Sequence, residues 1–264
     1  MMAYPPEYEE IHARWYDCGA YATRADAVFY RDLARETGGP VLELGCGTGR
    51  VLLPIAGDGI RCVGLDTSEA MLDKLRAKQP PANLRLVVAP MQDFDLGPER
   101  FRLIFAAFRP LQHLYTVEQQ LACLTCVRRH LAPDGRFAFD VFQPDPARLA
   151  RPVEPEYEED RFRDGDDEIV RLASLERDIA TQTQEVTMRF ERRRDGVAVA
   201  SDSERFRMRW YHRYEVEHLL ARAGFDVVAL YGDFDRRPFD RDAGDMVFVA
   251  RITPPRRAAS PPST

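Results

Sequence analysis

The chain has 264 residues, enough for one large domain or two small ones, and its 45% hydrophobic and 10% aromatic content supports a sizeable core and excludes disorder of the whole. Its net charge is −6, from 37 basic and 43 acidic side chains, and every basic residue except Lys74 and Lys78 is an arginine. A nucleic-acid footprint needs clustered excess positive charge, so no nucleic-acid partner is expected. No run of ~18 apolar residues could span a bilayer, so no membrane partner is expected. The N-terminus lacks a basic-then-apolar leader, and the cysteines are sparse and odd in number, at 18, 46, 62, 123 and 126. Both features point to a cytoplasmic protein with reduced thiols.

Residues 1–39 read as an N-terminal helical cap, one or two amphipathic helices that stop at Gly38-Gly39-Pro40. Val41–Leu44 is a short apolar run ending at glycines, the pattern of a buried parallel strand. A helix over about 48–57 follows, then a strand at Ile60–Leu65 and a helix opened by Ser68. Leu84–Val88 and Leu103–Phe105 give strands three and four, Thr116–Leu131 a helix, and Arg136–Phe142 the fifth strand. Five strands with helical crossovers imply an α/β, Rossmann-like, doubly wound sheet over 40–144, resumed at 205–253 by a helix at 214–223 and strands at Val227–Tyr231 and Met246–Ile252. Between the two parts, 145–204 begins rich in charge and proline. It then shows period-two runs such as Val186–Phe190, and Asp195-Gly196 marks a hairpin. This predicts an antiparallel β insertion acting as a lid, with one face apolar and the other basic. Its free edge could pair two copies as a homodimer. Residues 254–264, with four prolines, read as a disordered tail.

The chemistry concentrates in Glu43-Leu44-Gly45-Cys46-Gly47-Thr48-Gly49-Arg50, where closely spaced glycines between a strand and a helix let backbone approach a ligand. Asp66, 21 residues after Gly45 at the end of the second strand, can accept hydrogen bonds from both hydroxyls of a ribose. The spacing is G-x-G-x-G, with Arg50 where the dinucleotide fingerprint has its third glycine, and no phosphate-binding lysine follows. This disfavours an NAD(P)-dependent oxidoreductase and excludes a P-loop. Cys123-x-x-Cys126 lies in a helix without a second pair, so no metal is expected.

With Glu43–Gly49 and Gly64-Leu65-Asp66-Thr67-Ser68-Glu69-Ala70-Met71 as paired motifs, the chain resembles the class I S-adenosylmethionine-dependent methyltransferases over about 40–142 and 205–252. In layout it is similar to those acting on amino sugars and small amines. The resemblance implies a seven-stranded sheet of order 3-2-1-4-5-7-6 whose last strand is antiparallel. Its cofactor would be S-adenosylmethionine, leaving as S-adenosylhomocysteine. Glu43, Gly45 and Gly47 would surround the methionine moiety, Cys46 and Gly49 would also belong to the cofactor site, Asp66 would bind the ribose, and Thr67 and Met71 would pack near the adenosine. Where the family often has Gly-Asp after strand three, this chain has Ala89-Pro90, which passes the adenine edge to Met91 or Gln92, with Asp93 a weaker choice.

The acceptor would meet the methyl group at Ala106–His113, with Ala107 against the cofactor and Phe108 and Arg109 toward the acceptor. His113 is the titratable candidate for proton removal, unless it packs beneath the following helix. Tyr16 resembles the N-terminal tyrosine that covers the cofactor in such enzymes, or else is a core aromatic of the cap. Arg209 and Tyr211, leaving the insertion, are further acceptor-pocket candidates. The reading is methyl transfer to nitrogen or oxygen of a small-molecule acceptor. The alternatives are an oxidoreductase, a non-catalytic cofactor-binding protein and an RNA-modifying methyltransferase.

Overall fold

The computed structural model describes residues 6–254, with side chains from Glu10 onward. From residue 255 the expected tail lies outside the described residues. The cap consists of α1 (Pro6–Trp15), a 3-10 turn at Gly19–Thr23 and α2 (Asp26–Thr37), which ends on Gly38 in the left-handed conformation.

β1 (Val41–Leu44) is buried at all four positions because it lies in the middle of the sheet. Its parallel neighbours are β2 (Cys62–Asp66) and β4 (Phe101–Ala106), beyond which lie β3 (Leu84–Val88) and β5 (Leu131–Phe142). β10 (Phe225–Tyr231) and β11 (Asp245–Ile252) complete the order β3-β2-β1-β4-β5-β11-β10, with β11 antiparallel to both its neighbours. This is the Rossmann-like order that the resemblance implies. α4 (Glu69–Ala77) is capped by Ser68, whose side chain accepts from Met71 N, and α5 (Val117–His130) starts with a full capping box between Thr116 and Gln119. α7 (Arg213–Arg222) packs on β10. Among the described residues no helix is long and apolar enough to cross a membrane.

Three departures from the sequence reading bear on the architecture. The first crossover helix, α3, spans only Leu52–Gly57, because Gly47 and Gly49 hold positive φ values that a helix cannot use. β5 begins at Leu131, and Pro133-Asp134-Gly135 is absorbed as a register shift against β4. The insertion, after a short α6 (Pro146–Leu149), has four strands, one of them in the stretch that showed no period-two run. These are β6 (Val153–Asp164), β7 (Asp167–Asp178), β8 (Thr183–Arg194) and β9 (Val197–Arg209), antiparallel in that order. The stretch noted as rich in charge and proline contains β6, whose side chains are mostly exposed and carry no apolar alternation to read. The insertion therefore continues to Arg209.

The face expected to be basic is charge-compensated. Arg189 pairs with Glu156 and Glu191, Arg161 with Glu158 and Glu168, and Arg194 with Asp167. The opposite face packs Ile169, Leu175, Val186, Met188 and Phe190 around Trp15 of α1, so the cap is seated on the second sheet. Arg171, fully buried, locks the 3-10 turn there. Its guanidinium lies 3.8 Å from the Tyr21 ring and donates to Cys18 O, with Asp160 at 3.5 Å.

Candidate active site

The glycine loop leaves β1 at Leu44. A Cβ at Gly47 (φ +50°) would sit 3.0 Å from Met71 Cε and 3.9 Å from Tyr16 Cε1, so only glycine keeps this part of the loop open. A Cβ at Gly49 (φ +80°) would meet Leu75 Cγ at 2.8 Å, so that glycine holds the loop on α4. Asp66, where β2 ends, accepts from Gly47 N at 2.7 Å and Ser68 N at 2.9 Å. Burial pushes its pKa up and the main-chain amides pull it down. A carboxylate offers about four lone-pair sites, so capacity remains for ligand hydroxyls.

Beneath the loop lies a buried charge cluster. Arg50 donates both terminal nitrogens to Asp26 at 2.6 and 2.7 Å. Burial raises the Tyr16 phenol pKa, and the nearby charge of Arg50 works against it. Glu43 is 3% exposed, its Oε2 has no hydrogen-bond partner among the described residues, and burial holds its pKa well above the carboxylate range.

After β4 the chain turns through two non-glycine residues in the left-handed region, Phe108 (φ +64°) and Arg109 (φ +71°). Such conformations cost about 1–3 kcal/mol each and persist only where surroundings over-determine them. Here Phe108 N donates to Asp140 Oδ1 at 2.9 Å, and that oxygen also accepts from Tyr30 at 2.8 Å. Burial is the main cause that pushes Asp140 up to about 6, with the nearby charge of Asp245 adding to it. The Phe108 ring meets Tyr21 at 5.0 Å and Tyr16 at 6.2 Å, with the Arg24 guanidinium 4.7 Å away. Arg109 is paired with Asp245 at 2.7 Å and is not an uncompensated cation awaiting an anion.

These pieces border one cavity of about 700 Å³. Gly45, Gly47, Asp66, Thr67, Met71 and Met91 line one end, and Tyr16, Ala107, Phe108, Arg109 and His113 lie along it. Glu43, Cys46, Gly49 and Gln92 stand behind the loops and are not on its wall. Arg209 and Tyr211 are also not brought to the cavity. Arg209 donates to Glu215, Gln182 and Tyr115 O, while the buried Tyr211 hydroxyl serves Leu111 O and Leu114 O. These two bind elements together because the β9 alternation turns Phe206 and Met208, rather than their neighbours, to the cavity. His113 does face it. Burial, with the charge of His12 adding to it, pushes the imidazole down to about 4, so the ring is neutral near pH 7.

Sequence reasoning missed the far wall. Alternate residues over one stretch of each strand from β6 to β9 face the cavity, including Glu159, Leu175, Val186, Met188, Phe206 and Met208. The period-two apolar runs at 186–190 and 206–210 carried that signal. His12 was missed as well. It lines the cavity, and its Nδ1 lies 2.9 Å from Oε1 of Glu204. Gln112, fully buried, donates to Arg209 O and accepts from Phe142 N, fastening the loop after β4 to both sheets.

The order of the core sheet, with a glycine loop after β1 and a carboxylate closing β2, defines a class I methyltransferase fold. The family described as a methyltransferase domain matches residues 41–135. The chain is 32% identical over 136 residues to dTDP-3-amino-3,4,6-trideoxy-alpha-D-glucopyranose N,N-dimethyltransferase of Streptomyces venezuelae, covering 48% of this chain and 56% of that protein. It is 31% identical over 114 residues to cypemycin N-terminal methyltransferase of a Streptomyces species, covering 43% and 45%. These alignments span about half the length of the curated relatives. Among solved structures, the CcbJ methyltransferase from Streptomyces caelestis superposes with a TM-score of 0.81 at 29% identity, covering 95% of this chain and 100% of that one. Residues 41–135 carry a methyltransferase domain, and the fold is that of the class I S-adenosylmethionine-dependent methyltransferases.

The residues present fit that cofactor. The Cβ-free surface at Gly47 is a cradle any larger residue would fill, and Asp66 has acceptor capacity facing the same space.

Proposed function

We propose that the chain transfers the methyl group of S-adenosylmethionine to a nitrogen of a small-molecule acceptor, with oxygen the second reading. The observation that carries this is the single cavity. Its cofactor end, at Gly47 and Asp66, is continuous with an end walled by the second sheet, where an acceptor can lie. The names of two curated relatives support nitrogen, and that of a third, a malonyl-[acyl-carrier protein] O-methyltransferase, supports oxygen as the second reading.

The cofactor supplies a methyl group already attached to a good leaving group, so the protein's task is placement and the exclusion of water. Well-oriented placement can supply roughly 7–11 kcal/mol of the barrier. Asp66 anchors the ribose, and Tyr16 and Phe108 close over the reacting end. The apolar side chains of β7 to β9 shed water from it. His113, being neutral, offers a lone pair that orients the acceptor's N–H or O–H rather than storing its proton.

The test is a thermal-shift titration with S-adenosylmethionine, S-adenosylhomocysteine and NAD in parallel. Ligand at about 100 times its Kd adds roughly 2.7 kcal/mol to stability. Stabilisation by the two sulfur nucleosides alone supports the reading, and stabilisation by NAD alone overturns it. Product mass measured after incubation with amine and hydroxyl acceptors then separates nitrogen from oxygen.

A further inference from the structure

A second imidazole shares the cavity with His113, and it is differently held. His12 Nδ1 lies 2.9 Å from Oε1 of Glu204, whose side chain is fully buried on β9. The other carboxylate oxygen, Oε2, has no hydrogen-bond partner among the described residues. A carboxylate beside Nδ1 fixes that nitrogen as the N–H donor, which puts the lone pair of the neutral ring on Nε2. The same carboxylate sets an opposite charge 2.9 Å from the ring. The ring is placed by Tyr16 (centroids 5.4 Å apart) and Phe206 (6.2 Å), and Phe206 also contacts His113. The described titratable groups around His12 are Glu204 on β9, Tyr16 after α1, His113 on the turn after β4 and Asp66 at the end of β2. On α4, which packs against α1, Lys74 acts on nearby Cys18.

We propose that His12, oriented by Glu204, is the proton acceptor for an amine that enters the cavity as its ammonium ion. This rests on the amine reading above and adds the residue that generates the nucleophile. An alkyl ammonium loses its proton in water only near pH ~10, so near neutrality a base must free the lone pair. The ammonium proton passes to His12 Nε2. The freed nitrogen lone pair forms the C–N bond as the C–S bond breaks with its electron pair left on sulfur. The product is the methylated ammonium and S-adenosylhomocysteine, and His12 returns its proton to solvent. His113 and His12 thus divide the work between orientation and proton removal.

The experiment measures kcat/KM against pH for methyl transfer to two probe amines, dTDP-3-amino-3,4,6-trideoxy-α-D-glucopyranose and the free amino terminus of tri-alanine. Wild type, His12→Gln, Glu204→Gln and His113→Gln are compared. His12→Gln is expected to lose about 10²-fold on the amino sugar at pH 7, and less on tri-alanine, whose α-amino group titrates at pH ~8, and to recover on each as pH rises past the amine's own pKa, where solvent supplies free amine. Glu204→Gln, which keeps the imidazole, is expected to lose about tenfold at pH 7 with the same alkaline recovery. His113→Gln is expected to change the rate without moving the profile. A loss that is uniform across pH in both His12→Gln and Glu204→Gln, or no loss in either, overturns the dyad. Wild type that methylates neither probe at any pH overturns the amine reading, and the dyad with it. S-adenosylhomocysteine affinity, measured on each variant, separates a site that fails to assemble from one that lacks its base.

Discussion

Arg50 and Asp26 face each other as a bidentate pair at 2.6 and 2.7 Å, with 8% and 0% of their side chains exposed. Arg50 stands where a dinucleotide fingerprint would carry its third glycine, and here it reaches back to the first turn of α2 and fastens the cap to the cofactor loop. Breaking the pair from the Arg50 side leaves Asp26 only Arg24 Nε, at 3.4 Å, and such a break costs up to about 3–5 kcal/mol. Arg50→Met should lower unfolding stability by that amount in urea denaturation, and Arg50→Met with Asp26→Leu should recover most of it. A double variant as unstable as the single one would mean that the pair does more than neutralise itself.

Asp66 is held by two main-chain amides and faces the cavity. Asp66→Ala should weaken S-adenosylhomocysteine binding by roughly 1–3 kcal/mol, the scale of losing charged hydrogen bonds. Isothermal titration calorimetry reads this directly, and unchanged affinity would remove Asp66 from the ribose site.

Gly49 is predicted to matter for folding more than for contact with ligand, since its missing Cβ is what lets the loop lie on Leu75. Gly49→Ala adds strain at positive φ to a 2.8 Å overlap and should cost about 1–3 kcal/mol. The loss should appear in the unfolding midpoint of the ligand-free protein. Were it visible only in cofactor affinity, the glycine would belong to the binding surface.

His113 makes stability depend on pH. Its folded-state pKa, pushed down to about 4, lies below the ordinary value of 6.5, so between those values the unfolded chain binds the proton more tightly. Stability is therefore whole above pH ~6.5, falls as pH drops toward 4, and stops falling once the folded ring also takes its proton. Because the ring borders a solvent-reachable cavity, about 1–3 kcal/mol is expected rather than the full linkage value. Asp140, raised to about 6, works with the opposite sign between about 4 and 6, so the measurement is wild type against His113→Gln at pH 7.5 and pH 5. The variant should lose less stability on acidification. Parallel behaviour of the two would show that His113 is already solvated.

The core sheet was legible because each of its signals is local. Val41–Leu44 ends at glycines, Ser68 and Thr116 cap helices, and Asp195-Gly196 turns a hairpin with φ values of +51° and +79°. The cofactor end of the site was legible for the same reason, since Gly45, Gly47 and Asp66 lie within 22 residues of one another. The acceptor end was not. His12 and Glu204 are 192 residues apart, and neither stands in a recognisable motif. Arg209 and Tyr211 pointed to the correct strand end, but the strand alternation and a register with Thr183 on β8 sent Arg209 to Glu215. β6 escaped notice because a strand whose side chains are largely exposed and ion-paired does not show hydrophobic periodicity.

Trp15 is 3% exposed and stacks on Phe190 of the second sheet, while the next residue, Tyr16, lies against Gly47 of the cofactor loop. Two adjoining residues thus touch the second sheet and the cofactor loop, and consecutive Cα atoms are about 3.8 Å apart. One rigid peptide unit of the cap therefore carries both contacts, so the packing of the second sheet at Phe190 and the shape of the cofactor loop at Gly47 are tied to the same short piece of chain.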